Sequence, residues 1–316
     1  MGSVLAHEKW FTAARPEPDW GFLVEPATLA FVAAAILIAV AWRLVARRVG
    51  SPELRFLRPL GALSPWIPRL LAIHAGVSLL AQAVDGTYLA PGLHLPEGGF
   101  GTALAIVEGA VGVWLVSGVK VRWAAGLLVL AGPLGMLHYG PVAILERADL
   151  LGIALFLTVL PPGPDRWGAA EPVEDRVMWA AWYLRVFVGV ALIVLALTEK
   201  LVNPELALQF LDRYPVLNVF DAVGLPISDL TFVRFAGAVE ILFGLLLISG
   251  AMPQVAVIVA GIPFNATMFF FGYSELIGHL PVYGAMLVLL VFGSDPRLVK
   301  LVPVLTPWAR ERRSPR

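Results

Sequence analysis

The chain has 316 residues, of which 59% are apolar and 15% are charged, and its formal net charge is zero. Soluble domains carry charge on about a quarter of their residues, so this composition excludes that class and favours an integral membrane protein. The chain contains no cysteine, which excludes disulfide exchange, thiolate metal ligation and a nucleophilic thiol.

Apolar segments of membrane-spanning length recur along the chain, and they lack the alternation that is typical of β-barrel strands. They predict an all-α fold, a polytopic transmembrane helix bundle with about nine spans. The spans are placed near residues 23–46, 67–85, 101–117, 123–139, 147–161, 178–198, 231–249, 254–272 and 280–294.

Basic residues are concentrated in the segment 43–58 and in the tail 297–316. Since Lys and Arg accumulate in cytoplasmic loops, both segments are predicted to be cytoplasmic. An odd number of spans then places the N-terminus outside the membrane and the C-terminus in the cytoplasm. The same basic segments favour contacts with anionic membrane lipids, whereas no nucleic-acid-binding motif is present, so nucleic acid is not expected as a partner.

Two segments inside predicted spans resemble each other. Val107–Gly118 reads VEGAVGVWLVSG and Val239–Gly250 reads VEILFGLLLISG, so that Val, Glu, Gly, Leu, Ser and Gly coincide. The same interval separates Met136 from Met268. This repeat predicts two four-helix units with the same orientation in the membrane.

The predicted domain organisation follows from the repeat. An exterior N-terminal segment, the first span and a basic loop occupy 1–65, and the two four-helix units occupy 66–162 and 178–295. A cytoplasmic linker rich in Pro, Gly and charge joins the units at 163–177, and a basic tail occupies 296–316. Between the first two spans of the second unit, Asn203-Pro204-Glu205 reads as a helix start and is followed by LALQFLDRY. This stretch is predicted to form a short amphipathic surface helix.

The second unit resembles the DoxX/DoxD family of bacterial membrane proteins. The resemblance rests on LRVFVGVALIVLALTEKLVNPE at 184–205, with Arg185, Gly189 and Lys200 placed as in that family, and on VEILFGLLLISG. It is degenerate over 66–162, where Asp85-Gly86 replaces Glu199-Lys200. The resemblance implies a four-helix unit, the bacterial cytoplasmic membrane and an association with redox metabolism, which in this family includes a thiosulfate:quinone oxidoreductase subunit.

Glu108 and Glu240 are the candidate catalytic residues. Each lies within a predicted span and shares a helix face with small residues three and four positions away, which directs it into the bundle rather than towards lipid. Ionisable residues inside a membrane are costly and often functional. The two carboxyl groups are interpreted as proton carriers or as hydrogen-bonding partners of a quinone head group, or alternatively as structural groups that pair with Arg185 or Arg234.

Candidate ligand-binding residues lie around these glutamates. Lys200 and Glu199 end the sixth predicted span, where a lysine can meet a quinone carbonyl or can pair with a carboxylate. Asn265 lies beside a run of aromatic residues that suits a flat apolar ligand. The candidates are Lys200, Glu199, Asn265, Arg234 and Arg185.

An exterior metal site is a further hypothesis, because imidazole and carboxylate groups bind zinc, copper or iron. Glu275 and His279 are spaced to share a helix face, and other histidines are predicted on the same side of the membrane. The candidate ligands are His279, Glu275, His138 and His7.

We therefore expect a membrane subunit or accessory protein of a quinone-linked redox system that binds a quinone or lipid in its bundle. The sequence contains no motif for a covalently bound cofactor, so electrons would come from the substrate or from a redox protein partner, such as a respiratory complex. An autonomous catalytic activity is not expected. Two alternatives stay open: a proton-coupled transporter of a small molecule or metal, and a structural or assembly subunit without its own chemistry.

Overall fold

The computed structural model describes residues 17–49, 54–164 and 167–311. These residues are predominantly helical, with fourteen α-helices. Seven helices are long and apolar enough to span a membrane, which confirms the predicted helical membrane-protein class. The remaining two predicted spans correspond to shorter apolar helices at Ala148–Val159 and Pro253–Ala266.

Two N-terminal helices and a 3-10 segment precede a first group of helices, which we call the N-terminal half (66–162). The elements are α1 (Trp20–Val24), α2 (Pro26–Ala46), a 3-10 segment (Arg55–Trp66), α3 (Ile67–Val84), β1 (Thr87–Tyr88), β2 (Ala90–His94), α4 (Gly99–Ser117), α5 (Val121–Tyr139), α6 (Pro141–Leu145) and α7 (Ala148–Val159). The two strands form an antiparallel hairpin, a small departure from the predicted all-α fold.

The second group of helices forms the C-terminal half (178–295), followed by a short terminal segment. The elements are α8 (Glu174–Leu195), a π-helical segment (Ala196–Leu201), α9 (Pro204–Arg213), a 3-10 turn (Pro215–Leu217), α10 (Val219–Ala222), α11 (Asp229–Ser249), α12 (Pro253–Phe271), α13 (Tyr273–Ser294) and α14 (Pro307–Glu311). The predicted surface helix is present as α9.

Glycines allow two close helix crossings, one in each half. A Cβ atom on Gly76 of α3 would lie 2.7 Å from the carbonyl oxygen of Gly112 on α4. A Cβ atom on Gly189 of α8 would lie 2.6 Å from the carbonyl oxygen of Gly244 on α11. In both crossings the backbones approach to a distance that only glycine permits.

Each of these crossings also ends with an arginine that caps the second helix. Arg69 donates to the carbonyl oxygens of Leu115 and Val116 at 3.2 and 2.5 Å. The last carbonyls of a helix have no partner within the helix, so the guanidinium satisfies them. In the C-terminal half, Arg185 bonds the equivalent carbonyls of α11, those of Leu247 and Ile248, at 2.9 and 2.7 Å.

The glycines after α4 and α11 fit this arrangement. Gly118 and Gly250 adopt left-handed conformations with φ of 78° and 63°, which glycine accommodates at a helix end. Each also lies against the guanidinium of its capping arginine, so a side chain there would displace it. The Ser-Gly ends of the repeated segments therefore have a direct structural explanation.

The two halves pack on one another through a continuous apolar core. Phe156 of α7 stacks on Phe292 of α13, with ring centroids 6.1 Å apart. Gly284 of α13 allows the approach of His74 on α3, and Gly152 of α7 allows the approach of α8. Helix α13 therefore lies against the N-terminal half while its other side contributes to a site in the C-terminal half.

Candidate ligand-binding site

A cavity of about 420 Å³ lies at one end of the C-terminal half. Its walls are largely apolar and include Phe210, Phe232, Phe243 and Phe264. Five polar side chains also line it: Glu199, Lys200, Glu240, Glu275 and His279. The fold thus brings together five of the predicted site residues from three separate helical segments.

Lys200 and Glu240 form an ion pair in this cavity. Lys200 Nζ lies 3.0 Å from Glu240 Oε1, and their side chains are 13% and 33% exposed. Glu240 Oε2 has no hydrogen-bond partner among the described residues. Glu240 pairs with Lys200, so the alternative partners suggested by the sequence, Arg185 and Arg234, were wrong.

A π-helical segment places Glu199 and Lys200 at the cavity. Helix α8 widens at Ala196–Leu201, and the amide of Val202 donates to the carbonyl of Leu197 at 2.8 Å. Such bulges are rare and occur often at functional sites. The bulge is held from outside by Asn203, whose side-chain amide donates to the carbonyl of Thr198 at 2.5 Å. The apolar pattern of the sequence carries no signal for this change of helical pitch.

Glu275 and His279 lie one turn apart on α13 and face each other. His279 Nδ1 is 3.1 Å from Glu275 Oε1, and both side chains are buried. The ring of Phe264 meets the imidazole edge-on, with centroids 5.0 Å apart. The cavity therefore contains two acid–base pairs, Lys200–Glu240 and His279–Glu275.

Pro281 interrupts α13 just below this second pair. Because proline has no N–H, the carbonyl of Ile277 loses its helical hydrogen bond. Ser78 from α3 replaces that donor, with its hydroxyl 2.9 Å from the Ile277 oxygen. The N-terminal half therefore supports the segment of α13 that carries Glu275 and His279.

We expect Ser78→Ala to lower the free energy of unfolding by about 1–3 kcal/mol, since it leaves the Ile277 carbonyl unsatisfied in the core. Ser117→Ala is the matched control, because the Ser117 hydroxyl is exposed and bonds a carbonyl of its own turn. Thermal unfolding in detergent measures both. Equal effects of the two substitutions would show that the bond to Ile277 contributes nothing specific.

Glu108 has a different environment from Glu240. Its Oε1 accepts a hydrogen bond of 2.9 Å from the amide of Leu89, a hairpin residue with a left-handed φ of 60°. Burial and the Glu108 carboxylate raise the pKa of the neighbouring Tyr88 hydroxyl, which donates to the carbonyl of Ala131. In the N-terminal half, the glutamate thus contacts a folded hairpin instead of lining the large cavity.

Three other predicted ligand-binding residues lie elsewhere. Arg234 pairs with Glu25, bonds Thr28 and packs on the ring of Phe22, which joins α11 to α1 and α2. Arg185 caps α11 and also donates to the carbonyl of Val304. Asn265 is exposed and bonds the carbonyl of Gly261 in its own helix. None of the three is among the residues that line the cavity.

The predicted metal ligands do not converge in the described part of the chain. No group of three His, Asp or Glu side chains there is arranged to hold a metal ion. His138 packs against the ring of Tyr139, 4.7 Å away, and His7 lies outside the described residues. Only Glu275 and His279 of the proposed set meet, and they belong to the cavity described above.

Two charged residues that the sequence analysis left out lie close to this site. Arg147, which precedes α7, and Asp149, in its first turn, are buried and paired, with Nη2 and Oδ2 3.3 Å apart. The sequence places both at the start of the predicted span 147–161, and only the packing of the two halves buries them beside His279.

The described residues thus define a predominantly helical protein with seven helices long and apolar enough to span a membrane. One half of its bundle contains a charged cavity large enough for a ligand. Comparisons with protein-family models, curated proteins and solved structures found no match. The function must therefore be argued from the residues themselves.

Proposed function

We propose that the chain crosses the membrane nine times, with its N-terminus outside and its C-terminus in the cytoplasm. In this proposal the two halves are repeats of a DoxX-like four-helix unit with the same orientation. Three paired features support it: the glycine crossings, the arginine caps, and the residues Lys120 and Met252, which precede α5 and α12 with left-handed φ of 48° and 46°. The basic residues then lie on the cytoplasmic side, and the cavity lies towards the exterior.

We further propose that the protein is the membrane subunit of a quinone-linked redox system and binds the quinone in the cavity. One observation carries this proposal: the cavity combines apolar, aromatic walls with two acid–base pairs, Lys200–Glu240 and His279–Glu275. Ligand pockets typically measure about 300–1,000 Å³ and combine apolar walls with a few placed polar groups. A quinone has a matching distribution of polarity, because its ring and tail are apolar and its two carbonyl oxygens are polar.

The charges in the cavity favour a neutral head group over an anion. Three carboxyl groups, of Glu199, Glu240 and Glu275, accompany one lysine and one histidine. These carboxylates would repel an anionic ligand in a site of low dielectric. A quinone carbonyl instead accepts a hydrogen bond from Lys200, and a quinol hydroxyl donates one to Glu240. The electrons exchanged with the quinone come from a substrate or from a redox protein partner.

The proposal is tested by the binding of a short-chain benzoquinone to the protein in lipid nanodiscs. We expect Lys200→Met to weaken binding of the benzoquinone about tenfold or more, and Glu240→Gln to weaken binding of the corresponding quinol to a similar degree, since each removes a hydrogen bond to a charged group. Isothermal titration calorimetry measures the dissociation constants.

Glu108→Gln is the matched control, because it makes the same change at the equivalent position while its side-chain oxygen can still accept from Leu89. Its affinity should equal that of the wild type. The proposal is wrong if the wild type does not bind the quinone, or if Glu108→Gln weakens binding as much as Glu240→Gln. Proton flux coupled to a solute in proteoliposomes, without quinone binding, would favour the transporter instead.

A further inference from the structure

A second, much smaller cavity lies behind His279, between the two halves of the bundle. Its volume is about 20 Å³. Residues 146, 147 and 149 line it from the N-terminal half, and His279 lines both this cavity and the large one. His279 is therefore the polar residue that separates the proposed ligand site from the space between the halves.

The small cavity contains unsatisfied polar atoms. Arg147 and Asp149 are 6% and 1% exposed, and their closest contact is 3.3 Å. Within the described part of the chain, neither carboxylate oxygen of Asp149 has a hydrogen-bond partner, and the same is true of Arg147 Nε and Nη2. A buried ion pair is stable only when its remaining donors and acceptors are satisfied, so this pair requires a further polar partner.

One water molecule meets that requirement. A cavity needs about 10–15 Å³ of this kind of volume to hold a water, and the water needs two to four polar partners. Arg147 supplies donors and Asp149 supplies acceptors at the cavity wall. The second carboxylate at this wall, Glu146, already accepts a hydrogen bond of 2.7 Å from the Thr198 hydroxyl, whereas both carboxylate oxygens of Asp149 can accept a hydrogen bond from the water.

We propose that water in the small cavity joins His279 to Asp149, and that His279 passes protons from the ligand cavity to Asp149. A hydroxyl in the ligand cavity gives its proton to the Glu275 carboxylate, which passes a proton to Nδ1 of His279, 3.1 Å away. The imidazolium then gives its Nε2 proton to the water, and the water gives one to the Asp149 carboxylate. No electron is transferred in these steps. The inference rests on the proposed function for the source of the proton, but its test needs no quinone.

Charged groups surround this path on both sides. Those at the small cavity compensate one another in part, since the Arg147 guanidinium accompanies two carboxylates. Those at the large cavity include Glu275, which pairs with His279, and the ion pair of Lys200 with Glu240. The titratable and charged groups that face His279 from the two cavities are Glu146, Arg147, Asp149, Glu199, Lys200, Glu240 and Glu275.

The test is a pH jump on the ligand-free protein in nanodiscs, followed by time-resolved infrared spectroscopy. The protonated-carboxyl band that disappears in Asp149→Asn reports proton arrival at Asp149. We expect His279→Ala to slow the appearance of this band about 100-fold, in the range that a positioned proton-transfer group contributes. Added imidazole should restore the rate through the ligand cavity, a rescue that a purely structural role of His279 would not show.

His279→Gln provides a second variant that keeps hydrogen-bonding capacity but carries no proton, and it should be equally slow. His138→Ala is the control, since His138 lines neither cavity, and its rate should equal that of the wild type. The proposal is overturned if Asp149 shows no such band, if either His279 variant reacts at the wild-type rate, or if imidazole has no effect. Failure of quinone binding would overturn the proposed function alone.

Discussion

Arg185→Met is expected to lower the free energy of unfolding by about 3 kcal/mol or more. The guanidinium is almost fully buried, at 1% exposure, and donates to three carbonyl oxygens at 2.7–2.9 Å. Hydrogen bonds to a charged group contribute about 1.5–3 kcal/mol each. Methionine fills a similar volume but leaves all three carbonyls unsatisfied, including the last ones of α11 and that of Val304.

Arg69→Met is the matched comparison, because Arg69 caps α4 in the same way but is only half-buried and makes two bonds. We expect a loss of about 1–3 kcal/mol. Reversible unfolding in mixed micelles, followed by circular dichroism, measures both variants. If Arg185→Met is no more destabilised than Arg69→Met, the third bond and the deeper burial of Arg185 contribute no stability.

Gly189→Ala is expected to destabilise the protein by about 1–3 kcal/mol through overpacking. The new methyl group would lie 2.6 Å from the Gly244 carbonyl oxygen and equally close to the Ile248 side chain. Since backbone cannot yield as a flexible side chain does, α8 and α11 must move apart. Lys200 follows directly after α8 and Glu240 lies in α11, so the ion pair should also lengthen and binding of the short-chain quinone should weaken.

Gly126→Ala supplies the control of opposite sign. Gly126 lies within α5, and a Cβ atom there meets nothing within 4 Å. Alanine is favoured over glycine in a helix by about 1 kcal/mol, so this variant should be neutral or more stable. Thermal unfolding measures the stability of both variants. A Gly189→Ala protein as stable as Gly126→Ala would contradict the close crossing of α8 and α11.

The fold class and part of the site could be predicted from the sequence, for identifiable reasons. Apolar runs predict membrane helices because the bilayer imposes their length. A charged residue within such a run is conspicuous, which is how Glu240 and Lys200 were selected. Glu275 and His279 were selected by their helical spacing, although for a metal site that the described residues do not form. Instead of binding a metal with other histidines, these two side chains pair with each other in the cavity.

The misplaced residues share a physical cause. Arg185 and Lys200 both lie in one apolar segment, and the sequence does not tell which of them meets Glu240. The direction of the helices decides it. Arg185, in the middle of α8, lies level with the end of α11, whereas Lys200, beyond the end of α8, lies level with the middle of α11. Which residues meet on neighbouring helices depends on how deep each residue lies in the bundle. The spacing of residues along one helix does not encode that depth.

The sequence by itself determined the helical membrane class, the short surface helix and the two glutamates, because each depends on local composition and helical periodicity. Only the tertiary structure decided that these glutamates differ: one bonds the hairpin at Leu89, and the other pairs with Lys200 in a large cavity. It also decided that Arg147 and Asp149 are buried beside His279. Burial and pairing arise from contacts between distant segments, so they follow from packing and not from local pattern.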